Sequence, residues 1–548
     1  MMRLSRAAFA ILLVWAAPAL AGAQEPTPSP SPRPSALVSP APDNRPVIEL
    51  SLDEAVKRTL ENNADIAVQK FNPEFSDYGV RLLKGYYEPF LISTLGQRSN
   101  TSPASNAFAG AAAPNTRTLT YNFGALQNLP TGGNFEADFN NNRQTTNSVF
   151  SSFNPSFGSN FNLSFNQPLL RNFSIDSNRY QIKVAKKNFE ISDVQFRQTV
   201  VNTVANVKQA YYDLIYAIDN LSAQRKSLGL AQQLLEENRI KVRVGTMAPL
   251  DVVAAQSEVA GREANVIAAE AAVADAEDTL KRAMFTTNDP AEWSTRIVPT
   301  DRPTAEPVTV DVGAAIVNAT QKRTDMQAAR KSLENAEYGV SYARNQLLPA
   351  LNLAAGYGTA GVGGTLIQRQ GLGGPIISTV PGGYGDAVSD VFARTYPTWT
   401  LSASLSYPVL NRQAGATAAR ARVSRDQQQA TVHQLELQIV QEVRAAARAV
   451  DTAFRSVAAA RKARELAERN LDAERKKYEN GMTTSFNVAQ IQNDLTNARS
   501  NELQAIANHR KSLVNFDRVQ EAGVGGGGGN AVVSVRAPIS TTTSPTTQ

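Results

Sequence analysis

Apolar residues recur every seven positions through the middle of the chain. Val200, Val207, Leu214, Leu221, Leu228, Leu235 and Val242 form one unbroken stripe. A seven-residue apolar repeat predicts a helix whose seam is held against a partner in a left-handed supercoil. Gly245-Thr246-Met247-Ala248-Pro249-Leu250 then interrupts the stripe with turn residues. It resumes as Val252, Val259, Val266, Val273 and Leu280, with small residues between at Ala255, Ala269, Ala276 and Ala283. The pattern predicts a very long helix running out, a tight turn, and a second helix running back. From Ile182 to Val244 the outgoing arm would reach roughly 95 Å.

A second pattern has period two. Phe161-Asn162-Leu163-Ser164-Phe165-Asn166 and Leu401-Ser402-Ala403-Ser404-Leu405-Ser406-Tyr407 alternate strictly, with shorter runs at Leu119–Phe123 and Leu351–Leu353. Alternation puts one apolar and one polar face on a strand. The polar face here is Ser and Asn rather than charge, which suits the wet interior of a membrane barrel. Pro130-Thr131-Gly132-Gly133 marks a hairpin between 119–129 and 134–142. That hairpin is expected to enlarge the barrel. The Asn/Ser/Phe-rich 145–160 and the Gly-rich 356–396 read as loops facing outside the cell.

These patterns occur twice. Asp77-Tyr78-Gly79-Val80 returns as Glu337-Tyr338-Gly339-Val340, an offset of 260, at which Ala55 meets Ala315 and Leu91 meets Leu351. Phe161, Leu163 and Phe165 meet Leu401, Ala403 and Leu405 at offset 240. At offset 236 the stripe returns as Val443, Val450, Val457, Leu471 and Tyr478, with Arg464 where Leu228 stood, and Gly245 meets Gly481. The expected organisation is mainly α with a membrane β-barrel, built from a duplicated helix–strand–long-helix-hairpin unit. The first unit spans 47–290, with strands over about 88–167 and a helical hairpin over 174–284. The second spans 308–520, with strands over about 350–409 and a hairpin over 415–519.

Composition adds limits at the ends. The chain has 548 residues, a net charge of +6 and no cysteine. Disulfides, thiolate metal sites and a cysteine-linked lipid anchor are excluded. No basic cluster argues for nucleic acid. Residues 1–23 read as a secretory signal, with Arg3 and Arg6 before the apolar 7–17 and cleavage after Ala23 or Ala21. Residues 24–46 read as a Pro-rich linker, 291–307 as a linker between units, and 521–548 as a disordered Gly/Ser/Thr tail. No later apolar run is long enough to predict a spanning helix.

Enzymatic readings fail on inventory. His433 and His509 are the only histidines, and both fall on helices at surface or seam positions. There is no Gly-x-Ser-x-Gly and no phosphate-binding loop, and the Gly run 525–529 lacks the strand–Gly–helix setting. No catalytic residue, metal site or cofactor is expected.

The duplicated plan and two turn motifs resemble the TolC-like outer-membrane efflux family. The motifs are Val244-Gly245-Thr246-Met247-Ala248-Pro249-Leu250-Asp251-Val252 and Tyr478-Glu479-Asn480-Gly481-Met482-Thr483-Thr484-Ser485-Phe486-Asn487-Val488. The resemblance covers about 47–520. It implies a homotrimer sharing one barrel in the outer membrane of a Gram-negative cell, with a helical tunnel across the periplasm. It implies partners as well: outer-membrane lipid, a periplasmic adaptor, and an inner-membrane pump or ABC exporter. Gly245, Thr246, Met247, Ala248, Pro249 and Leu250, with Gly481, Met482, Thr483, Thr484 and Ser485, would form the periplasmic tip that docks the adaptor. Asp251 and Tyr478 match gate positions of the family, while Thr483, Asn487 and Gln490 stand where a well-known branch carries an arginine and two aspartates. The competing class is a coiled-coil envelope or surface protein without a pore. The alternating strands favour the duct, because such a scaffold has no use for them.

Overall fold

The computed structural model describes residues 45–104, 109–285 and 289–523. The signal segment, most of the linker after it, and the tail from 524 onward lie outside the described residues. In the first unit, β1 (Val47–Leu50), α1 (Leu52–Asn62) and α2 (Ala64–Lys84) precede four strands. These are β2 (Phe90–Thr101), β3 (Asn115–Asn128), β4 (Asn134–Thr146) and β5 (Phe153–Pro168). The helical hairpin α3 (Ser177–Arg243) and α4 (Pro249–Met284) follows. The connection holds α5 (Pro290–Trp293) and β6 (Arg296–Pro299). The second unit has α6 (Val312–Lys322), α7 (Thr324–Asn345), β7 (Ala350–Arg369), β8 (Ile376–Val380), α8 (Tyr384–Ala393) and β9 (Tyr396–Ser406). It ends with the hairpin α9 (Arg412–Glu479) and α10 (Ser485–Glu521). Helix pair, strands and long hairpin thus recur in the order that the repeat predicts.

Local chemistry starts the helices. Ser51 accepts from the Glu54 N–H at 3.2 Å, Asn63 from Ile66 at 3.0 Å, and Asp176 from Arg179 at 2.8 Å. Each occupies an N-cap and satisfies an orphan donor. The Asn63 amide also donates to the Ala283 carbonyl at 3.0 Å, which ties the start of α2 to the end of α4. Residues 291–307, expected as a plain linker, carry a structural strand instead: β6 pairs in parallel with β1. Both strands hold four residues, too few for periodicity to reveal.

With 67 residues, α3 is about 100 Å long. It packs between α4 and α10, and α10 packs between α3 and α9. The seam predicted on α3 is fully buried at Val207, Leu214 and Leu235 and half-buried at Leu221, Leu228 and Val242. Its repeat in α9 is buried throughout, at Val443, Val450, Val457, Leu471 and Tyr478. Two cores form at equivalent places. One joins Ala55, Val207, Tyr211 and Leu214 to Leu280 and Ile297, and the other joins Ala315, Ala319 and Val443 to Met326 and Val519.

The strands form one antiparallel sheet in the order β2-β3-β4-β5-β7, with β9 and β8 along the far side of β7. The 119–142 hairpin lies inside this sheet as β3 and β4, and so enlarges it. Two loop expectations are corrected. Residues 153–160 belong to β5, and the Gly-rich segment 356–396 holds the outer part of the 20-residue strand β7, then β8 and α8. The glycines of β7 mark a close approach rather than a turn. A Cβ at Gly361 would meet the Ala387 carbonyl oxygen at 1.9 Å, and one at Gly363 the Gly383 oxygen at 2.2 Å. Helix α8 lies directly against the strand there.

Register sorts the side chains into two faces. Phe139, Phe161 and Thr359 share one face with Phe165, Ala355 and Leu401, and Asn160, Asn162, Ser164 and Ser402 lie on the other. The connections to the paired helices and the long hairpins, at 85–90, 168–177, 345–350 and 406–412, leave from the same end of the sheet. The other end is therefore distal to those helices.

Leu214→Ala should lower the unfolding free energy by about 2–5 kcal/mol, because it empties a fully buried seam position. The readout is the denaturant midpoint. A midpoint equal to that of the parent chain would place Leu214 outside the packed seam.

Candidate functional site at the hairpin tips

Both long hairpins turn in the same way. At the first, the Gly245 N–H donates to the Val242 carbonyl at 3.0 Å and the Thr246 N–H to Lys241 at 2.9 Å. At the second, Gly481 donates to Tyr478 at 3.1 Å and Met482 to Lys477 at 2.9 Å. This pair of bonds is the Schellman motif, which needs a left-handed residue just past the helix end. Gly245 and Gly481 supply it at φ 83° and 72°. Nothing lies within 4 Å of a Cβ added at either, so backbone angle and not crowding selects glycine. The returning helices start differently. Pro249 opens α4 with no side-chain cap, whereas Thr484 caps α10 through the Asn487 N–H at 3.4 Å.

The tip residues divide into two groups. Thr246, Ala248, Pro249, Leu250, Met482 and Thr484 are exposed. Met247 instead packs on a core of Leu234, Leu471, Tyr478, Val488 and Leu495, which joins the two hairpins just behind the tips. Ser485 is buried, and the Thr483 hydroxyl donates to Glu474 at 2.6 Å. That bond holds the Glu474 carboxyl below the usual carboxylate range. The residues assigned to the docking tip leave out Val244, Val253 and Phe486, which are among the most exposed apolar residues there. Phe486 stands one residue inside α10 where Leu250 stands in α4, and the offset of 236 could have paired them.

The candidate gate residues do not converge in one chain. Asp251 is half-exposed in the first turn of α4, where a carboxylate complements the helix dipole. Asn487 and Gln490 are exposed, and their amides donate to Thr483 at 3.1 Å and Asp494 at 3.4 Å. Tyr478 is buried between the hairpins. Its hydroxyl lies 2.5 Å from the Asn238 amide oxygen, and Lys241 Nζ sits 3.5 Å from its ring centre. Burial, with the charges of Glu237 and Asp251, pushes the phenol up to about 12.

Further behind the tips a polar cluster ties three helices. Arg262 of α4 reaches the Ser227 hydroxyl of α3, and Thr496 of α10 donates to the same hydroxyl at 2.9 Å. Glu258 pairs with Arg262 at 2.6 Å. The signal was present in the sequence: Ala255, Ala269 and Ala276 leave one heptad place for a large residue, and Arg262 fills it.

Twin helical hairpins joined to a strand set with one apolar and one mostly uncharged polar face define a tunnel-and-sheet membrane architecture. The chain belongs to the outer membrane efflux protein family, whose sequence model matches residues 134–284 and 315–519. Outer membrane protein TolC of Vibrio cholerae is 28% identical over 176 residues, 32% of this chain and 39% of that protein. The match spans about two fifths of that relative's length. The outer-membrane channel OprN superposes with a TM-score of 0.61 at 15% identity, over 86% of this chain and 90% of that one. The Campylobacter jejuni CmeC outer membrane channel gives 0.60 at 14%, over 86% and 85%. At these identities the structural likeness is one of fold.

The packing at Tyr478 gives a pH dependence. The ordinary phenol value is 10.0. Between that value and about 12 an opened chain loses the Tyr478 proton before the packed one does. Stability at the tips is therefore present below pH 10 and falls as pH rises towards 12. Tyr478→Phe should remove this part of the alkaline loss, measured by amide exchange in 234–250 and 471–488. The same alkaline slope in both proteins would show that Tyr478 does not link the hairpins.

Proposed function

We propose that three copies of the chain close into a passive duct across the outer membrane and periplasm, the exit channel of a tripartite efflux assembly. The observation that carries this reading is a difference between equivalent helices. In α10, Val488, Leu495 and His509 are 1%, 3% and 1% exposed. Their counterparts in α4 at offset 236, Val252, Val259 and Val273, are only half-buried, as is Val266. The reason is that α10 lies between α9 and α3, whereas α4 packs chiefly on α3. What α4 lacks is an α9 on its other side, and a second copy supplies one.

The shorter helices repeat the argument. Helix α7 is held between α3 and α9, but its counterpart α2 packs chiefly on α3. Val68, Phe71, Phe75, Tyr78 and Leu82 of α2 are left exposed at heptad-like spacing, Phe75 and Leu82 at 80%. On α3 the partners of α7 include Tyr180, stacked on Tyr342 at 5.1 Å, and Lys187, paired with Glu334 at 2.9 Å. The equivalent places on α9 are Ala416 and Val423. Small residues there leave room for the aromatic stripe of a neighbouring α2.

The sheet ends on the same logic. Strand β5 pairs with β7 inside the chain, and their counterparts β9 and β2 are its unpaired edges. Open edges are not tolerated in lipid, so β9 should pair with β2 of the next copy. The apolar face then meets lipid and the Asn/Ser face lines the pore. The family resemblance gives the number three, and the repeats give the way the ring closes. At the far end, Val244, Leu250, Val253, Met482 and Phe486 offer an uncharged apolar surface to a periplasmic adaptor. An inner-membrane pump would supply the energy. Asp251, three times repeated, would set an acidic ring near the opening.

The intramolecular register predicts the intermolecular one. Phe165 opposes Ala355, and the offsets of 240 and 260 carry this pair to Leu405 and Leu95. Both are exposed in the single chain, at 69% and 77%. In this cysteine-free chain, Leu95→Cys with Leu405→Cys should oxidise to covalent trimers, while either substitution alone stays monomeric on denaturing gels. Monomers from the oxidised double variant would exclude this closure. Deleting the gene should raise sensitivity to small toxic compounds, and purified trimers should conduct in planar bilayers. Sealed bilayers would remove the duct reading in favour of a scaffold.

The acidic ring has its own measurement. Like charges held close resist full ionisation or bind a cation. Asp251→Ala should lower cation preference, read as a smaller reversal potential in a salt gradient. An unchanged potential would leave Asp251 as a helix-start carboxylate only.

A further inference from the structure

Charge is distributed unevenly along the strands. Near the helices stand Glu88, just before β2, and Glu136 and Asp138 in β4. At the distal end stand Arg98, Arg117, Arg143, Arg369 and Arg394, with Asp386 and Asp390 on α8. There is no lysine anywhere in 88–168 or 350–407. The two aspartates are engaged locally. Asp386 accepts from the Gly383 N–H at 2.8 Å at the start of α8, and Asp390 from the Thr395 hydroxyl at 3.2 Å at its end.

The lipid-side face changes character at this end. Its continuous aromatic band thins beyond the row Phe139–Phe161–Thr359, where Tyr121 and Phe157 stand among polar residues. The next row is Asn141–Ser159–Gly361, and α8 covers it. Tyr384 of α8 donates to Asn141 at 3.0 Å and packs edge-on against Tyr121 at 5.4 Å, and Thr359 donates to the Val391 carbonyl at 3.2 Å. One row further out, Arg143 opposes Phe157 with its guanidinium 6.0 Å from the ring centre. Arg117 lies on the same face, diagonal to Arg143 across the β3–β4 pair, a separation of about 7–8 Å. Both are exposed, and neither makes an ion pair among the described residues. Arg394 stands exposed on the other side of α8, at the start of β9.

We propose that Arg117 and Arg143, walled by α8 and Tyr384, form a seat for the phosphate of an anionic outer-leaflet glycolipid whose acyl chains lie on the adjacent aromatic band. This rests on the duct reading, which turns the distal end of the sheet towards the outer leaflet. Arginine is the side chain that grips phosphate with two parallel N–H donors. Two of them at diagonal spacing can share one phosphate. Helix α8 replaces lipid over the polar row, so that Asn141, Ser159 and Thr359 are not left facing acyl chains. The glycines at 361 and 363 let it lie flat against the strand.

The probe is diphosphorylated lipid A added to the full-length protein in detergent, with retention counted by native mass spectrometry. The parent protein should retain lipid A, and Arg117→Gln with Arg143→Gln should weaken retention about tenfold or more. Arg117→Lys with Arg143→Lys keeps the charge and should fall between them. Dephosphorylated lipid A should be retained weakly by all three, and a large excess of inorganic phosphate should fail to displace lipid A from the parent. Equal retention by the glutamine variant would overturn the proposal. So would displacement by free phosphate, which would make the seat a general anion site. Conductance of the same preparations separates this from the duct: conducting channels with unchanged lipid retention refute the lipid seat alone, and chains that never conduct refute the duct.

Discussion

The packing of α3 against the second hairpin is the interaction on which the rest of the molecule depends. A heptad seam made only of Val and Leu can slide by a turn or two at modest cost. Here polar pairs fix its register. Asn238 meets Tyr478, Ser227 meets Thr496 and Arg262, Asn220 meets Ser500, and Asp213 meets Lys511. Each of these pairs is satisfied only when the helices stand at one height. That height sets where the tips end and where the strands begin. Because α3 and α9 are copies, as are α4 and α10, the seam inside the chain also dictates the seam on its outer edges.

Duplication explains why a single chain looks incomplete. In the second unit α7 and α10 are packed on both sides, whereas their counterparts α2 and α4 pack chiefly on α3 alone, and the strands β2 and β9 are edges. The half-buried valines of α4 and the aromatic stripe of α2 are not weaknesses of the seam. They are the same positions as the buried ones in α10 and the packed ones in α7, and they lack only a partner. The copies have diverged where a pair can choose its own chemistry. The α3–α7 contact uses Tyr180 and a Lys187–Glu334 pair, while the stripe of α2 is apolar and would, in the proposed trimer, face the small residues of a neighbouring α9. Each version is complementary to its own partner.

Long-range periodicity was legible in the sequence, and short-range backbone need was not. The hairpins, their turns, the paired small helices and the duplication all follow from spacing and from glycine at the helix ends. Strand β7 was hidden because Gly356, Gly358, Gly361, Gly363 and Gly364 have the composition of a loop. The physical cause of the last three is contact: the α8 backbone, or the Pro155 carbonyl beside Gly364, occupies the space a side chain would need. Likewise 153–160 looked like a polar loop because Asn and Ser alternate with Phe and Gly. Once one face is taken as pore and the other as lipid, that alternation is a strand. At the tips, Gly245, Gly481 and Pro249 were legible because backbone angle selects them. Met247 and Ser485 were less so, since turning inward depends on a hairpin more than two hundred residues away.

The two ends of the molecule solve opposite problems with the same economy of charge. At the tips the charged residues retreat into the last helical turns, where Lys241, Arg243, Lys476 and Lys477 complement the helix dipoles. The surface left at the very end is neutral, apolar and short, which suits contact with another protein. At the distal rim the acidic residues are absorbed in capping α8, and the surface left is cationic, which suits a phosphate-rich leaflet. Between them the pore face of the sheet is mostly uncharged Asn, Ser and Thr, with Glu136 and Asp138 as the exceptions. A wall of that kind hydrates its contents without holding them. On the duct reading, a passage that drives nothing itself has to release whatever enters, and strong fixed charge along its length would work against that. On that reading the charges stand where the molecule would grip something, at its ends, and are sparse where cargo would pass.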